Sequence, residues 1–179
     1  SRAQQQMTKS LIERRLASRC FDDFCILDAV EIRETGQRRI TIFFDREVTA
    51  ESVTPPQNAQ LVTANVLGGA SSLTYELPDA SSTEFEISGQ TVNLVPAEEE
   101  LALMEGGNAL AAVRNGETAE IVLDWLAYHI EHHSADAAVI LDRAKPGADK
   151  LFSRELSKGL RTRNLPCTVV LLSSDVPLG

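Results

Sequence analysis

Three polar clusters close apolar segments in the last seventy residues, and each could hold a small polar molecule. Arg114, Asn115, Gly116 and Glu117 follow the apolar run 109–113. Asp142 and Arg143 follow the run 137–141, and Ser173, Ser174 and Asp175 follow the run 168–172. Together they offer guanidinium and amide donors beside carboxylate and hydroxyl acceptors. In open parallel sheets, ligands sit at the carboxyl ends of strands, where helix N-termini also point. Two common nucleotide signatures are excluded. Gly106 and Gly107 precede the first apolar run, whereas a dinucleotide fingerprint places its glycines after the strand, and no GxxxxGK[ST] loop occurs.

The elements that must position these clusters follow from periodicity. After Pro96, Glu98-Glu-Glu leads into Leu101, Leu103 and Met104, which predicts a short helix ended by Gly106-Gly107. Then come a strand over 109–113, a helix over 117–133, a strand over 137–141, a helix over about 148–163 and a strand over 168–172. Nearly continuous apolar strands alternating with helices predict a buried parallel sheet with right-handed crossovers. Upstream, residues 24–95 read as short strands of an antiparallel sheet. Ile40, Ile42 and Phe44 share one face of one of them, and hairpin turns fall at 35–37 and at Ser88-Gly89. Pro55-Pro56 marks a loop, a strand lies near 61–67, and Gly68, Gly69, Ser71 and Ser72 mark another loop. Residues 1–20 read as a helix on the spacing of Leu11, Ile12 and Leu16, docking on a neighbour or a second copy. The expected organisation is thus a helix plus a β-rich region over 1–96, and an α/β domain over 97–179.

Ala-Ala-Val-Arg-Asn at 111–115, Leu123-Asp124-Trp125-Leu126-Ala127-Tyr128-His129 and Val139-Ile140-Leu141-Asp142 carry a family resemblance. In this order they resemble the opening of family-2-type glycosyltransferase domains, over about residues 108–179. The resemblance implies an α/β fold with an α+β N-terminal part, the α/β portion being the Rossmann-like, nucleotide-binding half of a GT-A fold. It implies a nucleoside-diphosphate sugar as donor, a UDP-sugar favoured, and sugar transfer in polysaccharide or glycoconjugate synthesis. Asp142 would accept the imide N–H of uracil, while Arg114 and Asn115 meet ribose or phosphate. Glu117 would match the acid of the family's Asn-Glu pair, although Gly116 intervenes. In the complete enzyme the family uses a divalent cation, Mg or Mn, held by Asp-x-Asp. That motif is absent here, so these residues are expected to bind no cation and to be inactive alone, as a fragment or a degenerate domain.

Other features receive structural readings. His129, His132 and His133 share a helical face, where zinc is one option and a helix C-terminus favouring histidine the other. Trp125 reads as core packing, Lys150, Arg154, Lys158 and Arg161 as a solvated face, and Glu84 and Glu86 as the wet side of a hairpin. A net charge of −9 argues against nucleic acid and anionic lipid as partners. No apolar run approaches the length of a membrane span. Cys20, Cys25 and Cys167 lack CxxC spacing and are odd in number, which predicts reduced thiols and a cytoplasmic setting. The competing function is a non-catalytic binding or structural module without nucleotide affinity.

Overall fold

The computed structural model describes residues 11–143 and 150–176. In chain order the strands begin with β1 (Leu11–Arg15), β2 (Arg19–Cys20), β3 (Cys25–Glu34), β4 (Gln37–Phe44) and β5 (Val53–Thr54). They continue with β6 (Gln60–Leu67), β7 (Ala70–Pro78), β8 (Glu84–Ile87), β9 (Gln90–Asn93) and β10 (Ala97–Glu98). The last three, β11 (Ala109–Arg114), β12 (Ala137–Asp142) and β13 (Thr168–Ser173), alternate with helices α1 (Ala119–His133) and α2 (Leu151–Thr162). No described helix is long and apolar enough to cross a membrane. The fold is α/β, with mixed parallel and antiparallel sheets and two helices among the described residues. It forms two units, one spanning Leu16–Glu99 and the other joining residues 11–15 to those from Glu100 onward.

In the β-rich unit, one sheet runs β10-β3-β4-β7-β6 with β2 also on β3, and a smaller sheet runs β5-β8-β9. Alternation in β4 turns Ile40, Ile42 and Phe44 inward, where they are fully buried. They share one core with Leu73, Tyr75, Phe85 and Ile87 from both sheets. Gly68 and Gly69 both have positive φ, 59° and 90°, which suits the two-residue turn joining β6 to β7. The expected loop is therefore shorter, because Ser71 and Ser72 belong to β7. The Ser71 hydroxyl donates to the Arg46 carbonyl and accepts from the Val48 N–H, which satisfies a buried polar group.

The same unit corrects the reading of the cysteines. Cys20 and Cys25 are cross-strand partners between β2 and β3 and form a disulfide, and Cys167 is a buried thiol outside it. The odd count hid a local pair, and a disulfide is at odds with a reducing compartment. Nearby, the Asp28 carboxylate accepts the N–H groups of Ala17 and Ala29, each at 2.9 Å. Burial outweighs those two bonds and pushes the carboxyl above its ordinary range. The folded protein therefore holds this proton more tightly than the unfolded chain does. Stability from the site is complete below the unfolded pKa and is lost as pH rises through the folded one. Asp28→Asn keeps an acceptor and never ionises. In urea titrations from about pH 3 to about pH 7, its stability relative to the parent should climb through that window. A difference independent of pH would contradict the assignment.

In the second unit all pairings are parallel, in the order β1-β13-β12-β11. Leu110, Ala138, Ile140, Val169 and Leu171 lie on one face and pack with α1 and α2. The strand and helix spans match the expected α/β alternation within a few residues. The N-terminal helix is a correction. Residues 11–15 form β1 and residues 19–20 form β2, while the earlier part of that expected helix lies outside the described residues. Leu11 and Ile12 pair with Val169 and Val170, and Leu11 joins the α/β core. Its three-residue apolar stripe fits an edge strand as well as a helix, and sheet pairing supplies backbone hydrogen bonds that an isolated short helix lacks. The stretch that was to mediate self-association as a helix is thus a strand. Near residue 100 the expected helix shrinks to a 3-10 turn at Leu101–Leu103, and Glu98 pairs with Glu31 as part of β10.

The helices cross at Gly159, where an added Cβ would lie 2.1 Å from a Leu123 methyl carbon. Leu126 and Leu156 beside this crossing are fully buried, each worth about 2 kcal/mol of apolar burial. Alanine at Gly159 gains about 1 kcal/mol of helix propensity, against an overpacking cost of about 1–3 kcal/mol. Gly159→Ala should therefore lower stability by about 1 kcal/mol in urea unfolding. The loss should vanish or reverse in a Leu123→Ala background, where the clash is gone.

Candidate functional site

The parallel register of β11 and β12 makes Arg114 and Asp142 direct partners on the last rung. Residues two apart share a face, so both side chains lie on the helix-covered side with Ala112 and Ile140. The Arg114 Nη1 donates to Asp142 Oδ1 at 2.9 Å, and the two side chains are 13% and 12% exposed. Phe152, from the first turn of α2, lies under the guanidinium, whose carbon stands 3.7 Å from the ring centre. That adds a cation–π contact of about 1 kcal/mol or more.

The loop after β11 is tied to this pair. Arg114 Nε donates to the Glu117 carbonyl at 2.7 Å, and Asn115 N–H donates to the Glu117 carboxylate at 2.6 Å. Gly116, at φ 105°, permits the backbone reversal between them. The Glu117 carboxyl is held below its ordinary range by its own N–H, by that of Asn115, and then by the charge of Arg114. Arg143 reaches back, with its N–H on the Arg114 carbonyl and Nη1 on the Asn115 side-chain oxygen at 3.0 Å. Thr118 then caps α1 by accepting the Ile121 N–H.

Beside the cluster, a groove of about 210 Å³ opens between β11 and α1. Its walls are Ala112, Val113, Ile121 and Trp125, with Arg114 and Glu117 as its polar members. Trp125 is half-buried and packs on the α/β core while also lining this groove.

Arg114, Asn115, Glu117 and Asp142 thus come together. The third strand end does not join them: Asp175 pairs with Arg15 at the end of β1, and the Ser174 hydroxyl accepts the Val176 N–H. Arg143, expected at this strand end but not among the nucleotide-binding residues, and Phe152, given no site role from sequence, also belong to the cluster. Their signal was position, since one directly follows the strand-end aspartate and the other opens the buried stripe of α2.

The carboxylates present do not suit a divalent cation. Asp142 is committed to Arg114 and Glu117 to a backbone N–H, and a cation would sit against a guanidinium. Among the described residues, no three His, Cys, Asp or Glu side chains group to hold a metal. The histidines instead form a ring ladder at the end of α1. Tyr128 stands against all three, and the His129 and His133 rings are 5.1 Å apart.

Comparison with protein-family models, with curated proteins and with solved structures found no match.

Removing one member of the Arg114–Asp142 pair leaves the other charge buried and unpaired. Arg114→Met or Asp142→Leu alone should each cost about 3 kcal/mol in urea unfolding, whereas the double replacement should cost less than either. Additive losses would show that the two side chains act independently.

Proposed function

We propose that the α/β unit is a nucleotide half-site from a family-2-type glycosyltransferase, which moves sugar from a nucleoside-diphosphate donor. The observation that carries this reading is the meeting of Arg114, Asn115, Glu117 and Asp142 at the carboxyl end of a parallel sheet, beside an apolar groove. A pyrimidine enters the groove against Ile121 and Trp125, which supply apolar contact and an aromatic edge. The Asp142 carboxylate shares its acceptor capacity between Arg114 and the imide N–H of uracil, which favours UDP over a cytosine nucleotide. Arg114 uses Nε and Nη1 inside the protein, and its Nη2 hydrogens meet ribose or diphosphate oxygens. These residues bind and orient the donor. The acids that hold the family's cation and act as its base lie outside the set assembled here, so no transfer step is assigned to these side chains.

One observation favours the alternative, a structural module without nucleotide affinity. Arg114 and Asp142 already satisfy each other, so a ligand must share rather than fill their hydrogen-bonding capacity. Titrating UDP into isotopically labelled protein separates the readings. The half-site predicts amide shifts concentrated at residues 113–117 and 142. CDP, which lacks the imide N–H, should bind about tenfold more weakly, the loss of one charge-assisted hydrogen bond. No shifts, or shifts confined to the β-rich unit, would favour the structural module.

A further inference from the structure

Among the described residues, β6 is the longest edge strand. It is eight residues long, and all eight, Gln60–Leu67, are exposed. Leu61, Val62, Val66 and Leu67 are 46%, 43%, 57% and 83% exposed. The strand carries no charge and no proline, although 24% of the chain is charged. Edge strands are normally blunted by charge, proline, shortness or a bulge, because their outer N–H and C=O groups template another strand. Here β10 and β5 have two residues each, β9 has four, β1 carries Glu13, Arg14 and Arg15, and β11 is six residues long and ends in the charged Arg114. The one such device in β6 is a bulge between Leu61 and Thr63. Beyond it, Thr63–Leu67 pairs with β7 without interruption, from Thr63 opposite Thr74 to Leu67 opposite Ala70.

Register defines the two faces of this regular stretch. Ala64 and Val66 lie opposite Leu73 and Ser71, on the core side of the sheet, and Thr63, Asn65 and Leu67 lie on the other. Leu73 is buried, yet Val66 remains 57% exposed, so the apolar stripe of the core runs out to the sheet edge. A neutral, β-prone edge fits a neutral strand of the same kind, since a charged one would bring unpaired charge onto apolar side chains.

We propose that β6 joins β6 of a second copy, antiparallel across a two-fold axis at Asn65, which makes one continuous sheet. In that register Ala64 faces Val66 of the other copy, Thr63 faces Leu67, and the two Asn65 amides meet. Each face thereby keeps its character, and no like charges oppose each other. The partner follows from the strand's own composition: it matches itself in length, neutrality and alternation.

Sedimentation velocity from about 1 to about 200 µM tests this, a range that brackets micromolar association. The parent chain should pass from monomer to dimer, with hydrogen exchange slowing at residues 63–67 as concentration rises. Ala64→Lys and Val66→Lys should remain monomeric at the top concentration with unchanged circular dichroism. Asn65→Cys should give a disulfide-linked dimer on mild oxidation, because like residues meet on the axis. A parent chain that stays monomeric throughout would overturn the proposal. So would a dimer that survives both lysine substitutions, or failure of Asn65→Cys to cross-link.

Discussion

The in-register parallel ladder of β11 and β12 governs where polarity can occur in the α/β unit. Its rungs run from Ala109 opposite Ala137 to Arg114 opposite Asp142. Five rungs are apolar on both strands, and on the two that face the helices, Leu110–Ala138 and Ala112–Ile140, an unpaired polar side chain would be buried at a cost of several kcal/mol. Charge is admitted first on the sixth rung, where both strands reach it together. Arg114 and Asp142 therefore meet because the register sets them opposite each other on that rung. The loop after β11 inherits this anchor: Arg114 holds the Glu117 carbonyl, Glu117 holds the Asn115 N–H, and Thr118 then starts α1. One ladder thus fixes the ion pair, the loop and the entry of the helix.

That ordering decides what the strand end can do. A carboxylate flanked by a guanidinium is fixed in direction, with little side-chain entropy left to lose on binding a ligand. The same pairing lowers its reward, since desolvation has already been offset inside the protein. The site therefore suits a ligand whose groups join the Arg114–Asp142 network and whose ring fills the apolar groove. It does not suit a bare metal ion, which would have to displace a buried cation.

Legibility in the sequence tracked how local the deciding interaction was. The α/β alternation from residue 109 onward is readable because buried parallel strands are nearly uniform in hydropathy, and each crossover helix carries its own cap or amphipathic stripe. The four residues of the strand-end cluster are readable for the same reason: polarity returns where an apolar run ends. Their mutual pairing is not, because register between strands separated by a helix is set by packing. Residues 11–15 failed as a helix because Leu11 and Ile12 satisfy either period over so short a stretch, and pairing with β13 then decided the outcome. Cys20 and Cys25 were misread through counting, since their closeness comes from the turn at 21–24 that returns the chain to β3. Glu31 and Arg38 gave no signal at all. They are charged residues at inward positions of β3 and β4, buried with partners: Glu31 meets Arg33 at 3.0 Å and Arg38 at 3.4 Å, and Arg38 also donates to the Ser81 carbonyl.

How the sheets end is the complementary question to how their interiors are filled. The α/β sheet ends on one side in β1, whose Arg14 pairs with Glu100 and whose Arg15 pairs with Asp175. Charge there makes the edge self-sufficient and unreceptive to another strand. The β-rich sheet ends in β6 with no such protection beyond one bulge. The net charge of −9 does not compensate, because repulsion between exposed charges fades beyond about 8 Å at physiological salt. The eight-residue edge carries no acid of its own. Acidity spread over the rest of the surface can slow the encounter of two copies but cannot supply the local like-charge contact that forbids strand pairing.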